Sequence, residues 1–379
     1  MATVTAIMPT PMLRRIPALL FLFVLGTAGL AAADPKPMHG RYLYVAVPGI
    51  RNYLEYGGHG VLVYDIDAGH KLVRRIPAAG LAPDGKPSNV KGICASAATG
   101  RLYVSTIHTL QCFDLLTDKL LWEKTYEAGC DRLSITPDGK TLYVPSFEKD
   151  HWLVVDAASG DVIKKLVLNS RAHNTIISPD GREVYMAGLG SPFLAVADAR
   201  THLLKRAVGP FSGAVRPFTV NGSLTKVYAN VNDCLGFEIG DLQTGRVLQR
   251  IEVAGVEKGA VKRHGCPSHG IALSPDEKEL WLADGHNSLL HIFDLTGGAV
   301  RQRQSIPMRD QPGWITFSMD GKTVYPSTGE VIDAATKRIV TTLQDEAGGQ
   351  VHSEKLVEIE FADGKPVRAG NQFALGAVP

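Results

Sequence analysis

The sequence lacks the features that mark several common protein classes. It has no large excess of one charge, because 40 Lys and Arg stand against 38 Asp and Glu, with a formal net charge of +2. No nucleic-acid partner is therefore expected from overall charge. A P-loop, a dinucleotide-binding fingerprint and a G-x-S-x-G nucleophile elbow are also missing. Nucleotide-dependent chemistry and serine hydrolysis are thus disfavoured.

Cysteine is scarce and its spacing carries no redox motif. There are five cysteines, an odd number, so at least one thiol is free or pairs with another molecule. No C-x-x-C or C-x-x-C-H occurs, which argues against a redox dithiol and covalent haem attachment. Cys94, Cys112 and Cys234 are interpreted as small buried residues of strands. Cys130 and Cys266 fall three repeats apart, so no disulfide is expected between them.

Long apolar runs are absent after the N-terminus. Arg14 and Arg15 precede the apolar residues 16–30, and the small Ala31 and Ala33 follow them. This pattern predicts a secretory signal over residues 1–33, a mature chain from Asp34 and a periplasmic or secreted protein. The alternative is a membrane anchor, but about fifteen apolar residues are fewer than the roughly 20 that span a bilayer. The mature chain is expected to have no membrane span and to be monomeric.

An internal repeat predicts the architecture. Each unit has an apolar strand, a turn of Pro-Asp-Gly type and a strand centred on an aromatic residue, as in "LSITPDGKTLYVPS" and "IALSPDEKELWLAD". These anchor aromatics recur every 40 to 53 residues, at Tyr103, Tyr143, Tyr185, Tyr228, Trp281 and Tyr325. Period-2 alternation prevails and helical periodicity is missing, so the fold is predicted to be all-β. A period near 40 to 45 residues is typical of propeller blades.

Tyr44 supplies a seventh anchor without an inner strand before it. Residues 351–361, "VHSEKLVEIEF", are the candidate for that strand. The prediction is therefore a seven-bladed β-propeller over residues 34–379, one domain, whose ring is closed by the C-terminal segment.

Units such as "SPDGREVYMAG" and "TPDGKTLYVPS", followed by "VVDAASGDVIKKL", resemble the YVTN-type bacterial β-propeller repeats across nearly all of residues 40–350. More distantly the chain resembles the lactonase-like propellers. The resemblance implies an exported propeller, but such repeats describe blade packing and turns and do not specify a function.

Polar residues recur where packing alone would favour apolar ones. Seven places before the turn Asp, or its equivalent, lies a position that starts each inner strand, and we call these the axial positions. They are Lys91, Asp131, His173, Arg216, His269 and Gly313. Five of the six are ionisable, which favours a water-filled funnel on the ring axis. Arg132, Asn174 and Trp314 directly follow axial positions and are candidates for the same site.

Loops between second and third strands should open on the same face. They carry His108, His151 and His286, and a blade insertion at 256–267 adds Lys258, Lys262, Arg263 and His264. Seven of the twelve histidines map to this face. The alternative is that these residues cap strand ends or are solvated in surface loops.

Two chemistries fit this residue set. In the first, Lys91, Asp131, Arg132, Arg216, His108, His151, His286 and Trp314 bind an anionic small molecule or sugar acid, and His173 and His269 transfer the proton of a lyase or lactonase reaction. In the second, His173 and His269 are candidate ligands of a divalent metal, although no cofactor is indicated by local spacing. The competing function is a non-catalytic scaffold propeller that engages a protein or cell-envelope partner.

Overall fold

The computed structural model describes residues 1–3, 38–78, 82 and 84–376. Most of the predicted signal segment, residues 4–33, lies outside the described residues. The described part contains strands and turns but no α-helix.

Twenty-nine strands make up the described fold. The first fifteen are β1 (Gly40–Val47), β2 (Gly60–Asp65), β3 (Lys71–Ile76), β4 (Val90–Ser96), β5 (Arg101–Thr106), β6 (Thr109–Asp114), β7 (Leu120–Thr125), β8 (Ser134–Ile135), β9 (Thr141–Pro145), β10 (His151–Asp156), β11 (Val162–Val167), β12 (Ala172–Ile177), β13 (Glu183–Gly188), β14 (Leu194–Asp198) and β15 (Leu203–Val208). The remaining ones are β16 (Val215–Val220), β17 (Lys226–Val231), β18 (Gly236–Asp241), β19 (Val247–Glu252), β20 (Ile271–Leu273), β21 (Glu279–Asp284), β22 (Leu289–Asp294), β23 (Arg301–Pro307), β24 (Ile315–Phe317), β25 (Thr323–Pro326), β26 (Glu330–Asp333), β27 (Ile339–Thr342), β28 (Leu356–Ala362) and β29 (Lys365–Ala369).

The strands form seven antiparallel sheets, which are the blades of a seven-bladed β-propeller. Blades 2 to 7 each take four consecutive strands, from β4–β7 to β24–β27. Blade 1 combines the two ends of the described chain, in the order β29-β28-β1-β2-β3. The predicted all-β propeller with seven blades is therefore confirmed.

Pairing of β28 with β1 closes the ring. The register sets Val357 opposite Tyr44, with Ile359 opposite Tyr42. The C-terminal segment thus supplies the inner strand that the first repeat lacks, as the sequence predicts. The fifth strand, β29, pairs with the free edge of β28 and was not predicted.

The repeated turns follow from local chemistry. In blade 4 the Ser178 hydroxyl donates to Asp180 Oδ1 at 2.5 Å, and Gly181 adopts a left-handed φ of 71°. Glycine takes this conformation without the strain that a side chain would add. The corresponding residue of blade 6 is Glu277, with φ 58°, so the turn forms there despite an unfavourable residue.

The anchor aromatics pack between neighbouring blades. All seven are buried: Tyr228 is 6% exposed and the other six are 0% exposed. The Tyr103 hydroxyl donates to the Ala157 carbonyl of the next blade at 2.9 Å, and the Tyr143 hydroxyl donates to Ala199 in the same way. Burial of a large aromatic with its polar end satisfied stabilises each blade interface.

Residues 370–376, here called the axial tail, follow β29 and run across the inner strands of five blades. The Gln372 amide donates to the Leu133 carbonyl at 2.8 Å and accepts from the Ile93 N–H. Ala374 accepts from Leu273, and Gly376 donates to Val220. The axial tail therefore lies across the centre of the ring on the face that carries the Pro-Asp-Gly turns.

Candidate functional site

The strand register defines the axial positions independently of the turns. Each lies three residues before the residue that pairs with an anchor aromatic, as Lys91 lies three before Cys94, the partner of Tyr103. In blade 1 the partner of Tyr44 is Val357, so the seventh axial position is Glu354. Six of the seven axial positions are therefore ionisable.

Lys91, Asp131 and His173 are connected by an ion pair and a hydrogen bond, both made by Asp131. Asp131 accepts from His173 Nδ1 at 2.8 Å through Oδ2, and its Oδ1 lies 3.3 Å from Lys91 Nζ. Burial opposes ionisation of Asp131, yet His173 and Lys91 hold its pKa below the ordinary value. Burial lowers the pKa of His173, which favours the neutral ring. His173 thus donates Nδ1–H to a carboxylate and keeps Nε2 as an acceptor.

Glu354 divides its two oxygens between cations and histidines. Oε2 lies 3.0 Å from both Arg132 Nη2 and Lys355 Nζ. Oε1 lies 3.2 Å from His264 Nε2 and 3.9 Å from His269 Nδ1. Burial works against its charge, but Lys355 and His264 hold the pKa of Glu354 well below the ordinary value. Glu354 is therefore a buried carboxylate at the centre of the cluster.

His264 occupies the space beside Gly313, the one axial position without a side chain. A Cβ at residue 313 would collide with His264 Nε2 and Glu354 Oε1. The insertion before β20 thus places an imidazole at the axis where blade 7 has no side chain. The His264 and His269 rings stack with centroids 4.2 Å apart, and His269 Nδ1 donates to the Gly313 carbonyl at 2.8 Å.

Both stacked histidines favour the neutral form. Burial lowers the pKa of His264 to about 4, and burial together with His264 lowers the pKa of His269 well below its ordinary value. Burial also lowers the pKa of Lys355 to about 7.

Arg132 and Trp314 form the floor of the cluster. The Arg132 guanidinium stacks 3.5 Å from the Trp314 ring centroid, and the Trp314 indole N–H donates to the Gln372 carbonyl at 2.8 Å. Stacking of this kind stabilises a desolvated cation. The floor therefore separates the axial cluster from the axial tail.

Several buried polar atoms around the cluster have no hydrogen-bond partner among the described residues. They include Nε and Nη1 of Arg132, Nε of Arg216 and both amide atoms of Asn174. Arg216 is 8% exposed and its guanidinium lies against Gly265. Buried donors left without a partner cost about 1–3 kcal/mol each, so such a group of them indicates a place for a ligand or water.

Two loops cover the cluster from above. Arg51 Nη2, from the loop between β1 and β2, donates to the Arg263 carbonyl of the insertion at 2.8 Å. Arg263 in turn pairs with Asp310 at 2.6 Å. His173 and His269 are only 6% and 7% exposed. The cluster beneath these loops is thus largely desolvated, whereas the sequence favoured a water-filled funnel.

Of the ten residues predicted from sequence to bind or to transfer a proton, the structure brings seven together in the axial cluster and leaves three apart. His286 is exposed and its Nδ1 bonds the Ala260 carbonyl at 2.9 Å. His151 pairs with Asp150, and His108 lies in the tight turn between β5 and β6. Among the described residues, no hydrogen bond or ion pair joins these three to the axial cluster. They lie in or beside the loops between second and third strands.

Sequence reasoning missed Glu354 and Lys355, and it placed His264 only among the loop residues. Pairing residues 351–361 with the strand of Tyr44 sets Val357 opposite Tyr44. Counting back three places from Val357 would have identified Glu354, with Lys355 next to it. His264 lies in an insertion outside the repeat, so no register assigns its position.

Fold and site together define a seven-bladed β-propeller with a buried ionisable cluster on its axis. No protein-family model matches the chain, and no curated protein matches it. Among solved structures it is similar to the dihydro-heme d1 dehydrogenase NirN in complex with DHE. That likeness has a TM-score of 0.60 at 14% identity and covers 87% of this chain and 73% of the other.

Hydrazine synthase of Kuenenia stuttgartiensis is a second similar structure, with a TM-score of 0.45 and 18% identity, covering 67% of this chain and 95% of that one. At these identities the likeness concerns the fold alone. In the described part of the chain no helix has the length and apolarity needed to cross a bilayer.

Proposed function

We propose that the protein binds a carboxylated small molecule at the axis of the propeller, with a neutral histidine as proton acceptor. The observation that supports this most is the set of unpartnered guanidinium donors of Arg132 and Arg216 inside a desolvated cluster. A carboxylate that accepts from these donors would satisfy them, and hydrogen bonds to charged groups are worth about 1.5–3 kcal/mol.

The balance of charge favours an anion. The cluster has three cationic side chains, Lys91, Arg132 and Arg216, and only two carboxylates, Asp131 and Glu354. Its three histidines favour the neutral form. A low-dielectric site strengthens the field of such fixed charges. Lys355 adds a further positive charge when it is protonated.

His173 is the better placed of the two candidate bases for proton transfer. Its Nδ1 is held by Asp131, so the ring is oriented and Nε2 carries a lone pair. A neutral, oriented imidazole next to cations can take a proton from carbon or water while the cations stabilise the developing negative charge. β-Elimination and lactone opening on a uronate-type substrate both need this arrangement.

Titration calorimetry of the mature protein against uronates, lactone-derived acids and haemin tests the proposal. Haemin belongs in the screen because the similar NirN structure is a complex with DHE. For the best-binding acid, Arg216→Gln and Lys91→Met should each weaken affinity by about 10-fold or more. Lys258→Met, which alters an exposed lysine of the insertion, is the matched control.

Two results would contradict the proposal: no acid binds, or both cation variants bind as tightly as the unchanged protein. Loss of turnover in His173→Ala with affinity retained would identify His173 as the base. If an acid binds but none of the acids tested is turned over, the protein is a binding propeller and not an enzyme for these acids.

We also propose that the protein is exported, on the basis of the residue pattern over 1–33. Mass spectrometry of the protein from the periplasm or medium should show a mature N-terminus at Asp34. Retention of residues 1–33 in a membrane fraction would favour the anchor instead.

A further inference from the structure

The cluster contains three metal-ligating side chains that converge from distant parts of the chain. His264, His269 and Glu354 each offer a ligand atom, and these atoms lie within 4.8 Å of one another. His264 comes from the insertion, His269 starts the inner strand of blade 6, and Glu354 precedes the inner strand of blade 1. Three separate segments thus aim a nitrogen or oxygen at one point.

Glu354 and His264 each keep a buried atom without a hydrogen-bond partner among the described residues, whereas His269 donates Nδ1–H to Gly313 and would bind a metal through Nε2. Arg132 and Lys355 hold Oε2 of Glu354, which leaves Oε1 for another partner. Oε1 of Glu354 and Nε2 of His264 are buried and have no hydrogen-bond partner among the described residues. Two acceptors 3.2 Å apart repel each other unless a proton or a cation lies between them.

The groups that hold the histidine rings in place resemble those that surround bound metals in proteins. The Gly313 carbonyl accepts from one ring nitrogen of His269, which fixes the ring and leaves the other nitrogen unprotonated. Backbone carbonyls and carboxylates commonly orient metal-ligating histidines in this way. Gly313 itself leaves room for His264, since any side chain there would displace the imidazole.

We infer that His264, His269 and Glu354 form a binding site for a divalent transition metal of the Zn²⁺ type. Two imidazoles and one carboxylate suit Zn²⁺ better than Mg²⁺ or Ca²⁺, which prefer oxygen ligands. Three protein ligands leave a fourth position open. The group shares His269 with the metal ligands expected from sequence and differs in His173, which is held by Asp131 and is not among the three.

Arg132 holds Oε2 of Glu354 and has two further donors without a partner among the described residues. An anion bound at this cluster could therefore be held by the metal and by the guanidinium together. The inference does not depend on the proposed function, because metal binding can be measured without any acid, and acid binding can be measured in the presence of a chelator.

The experiment uses the full mature chain after dialysis against a chelator, titrated with Zn²⁺ alone by calorimetry. Bound metal is counted by mass spectrometry after equilibrium dialysis. We expect one equivalent per chain. Glu354→Gln and His264→Ala should each lower affinity at least 10-fold, and Co²⁺ should give visible ligand-field bands that His264→Ala abolishes. His286→Ala, in an exposed histidine of the same face, should bind like the unchanged protein.

Absence of saturable binding would overturn the inference, as would unchanged affinity in both Glu354→Gln and His264→Ala. Circular dichroism and thermal unfolding check that each variant is folded. If His264→Ala does not fold, Gly313→Ala provides the second test, because the added methyl group displaces His264 while every ligand residue remains. If the Gly313→Ala variant and the Glu354→Gln variant both fold and both bind Zn²⁺ with unchanged affinity, the site is also contradicted.

Discussion

His264 and Gly313 occupy one position of the axial ring between them. The imidazole from the insertion fills the space that a side chain at residue 313 would need. The two residues lie on different blades, so the insertion and blade 7 depend on each other for the site.

A double-mutant cycle tests this dependence. Gly313→Ala should destabilise the protein by about 1–3 kcal/mol, the usual cost of overpacking a buried site. In a His264→Ala background the same change should cost less, by about 1 kcal/mol or more, because one of the two groups that the methyl group meets is then absent and only Glu354 must move. Urea unfolding measures all four proteins. Gly298→Ala is the control, since a Cβ there meets no atom within 4 Å. Strictly additive costs would show that His264 does not fill the space.

The axial tail should contribute to stability through one side chain. Gln372→Ala removes the bonds to Leu133 and Ile93 and leaves a buried carbonyl and N–H unsatisfied. We expect a loss of about 1–3 kcal/mol in the free energy of unfolding, measured by urea titration. The exposed Gln243 provides the control as Gln243→Ala. A Gln372→Ala variant as stable as the control would mean that the axial tail is not docked in solution.

Glu183 should make stability depend on acid pH. Arg206 donates to both of its oxygens at 2.7 Å, which lowers the pKa of Glu183 from 4.5 to about 2. A lowered folded-state pKa gives stability that is present above about pH 4.5 and lost as the pH falls toward 2.

The stability difference between the unchanged protein and Glu183→Gln should therefore be about 1–2 kcal/mol at pH 7 and shrink steadily below pH 4.5. Urea unfolding at pH 7, 5, 4 and 3 measures it. Glu127→Gln removes a carboxylate that is 80% exposed and should show little change with pH. A difference that is the same at every pH would exclude the ion pair as its cause.

The cysteines should be unreactive in the folded protein. All five are buried free thiols, and burial raises the pKa of each one, to about 11 for Cys112 and Cys234. Because the thiolate is the reactive form, a thiol reagent should label the native protein slowly and all five cysteines after denaturation. Rapid labelling of the native protein would show that a blade interface opens.

The propeller could be predicted from sequence because one repeat encodes it seven times. Turn residues and anchor aromatics recur in fixed order, so six axial positions followed from counting back to a common place. Glu354 was missed because its strand, β28, pairs with β1 from the other end of the sequence. No Pro-Asp-Gly turn joins β28 to an anchor strand, so there was no turn residue from which to count. Only long-range pairing reveals such a residue.

Features outside the repeat could not be predicted in the same way. His264 belongs to an insertion, and its position depends on the space beside Gly313, which is a tertiary property. The axial tail is held largely by backbone carbonyls and a single glutamine, which leave no periodic pattern. The burial of the cluster depends on Arg51 and Arg263 meeting across the mouth, a contact between residues more than two hundred positions apart.

Blade 1 is built from the first three and the last two strands, so it can be completed only at the end of synthesis. β1 leaves the ribosome about 300 residues before β28, its inner neighbour. At about 5–20 residues per second, the edge of β1 stays open for roughly 15–60 s. An open strand edge invites pairing with other chains. The nascent protein therefore needs protection until its last strands emerge, and a prematurely terminated chain would be a substrate for proteases.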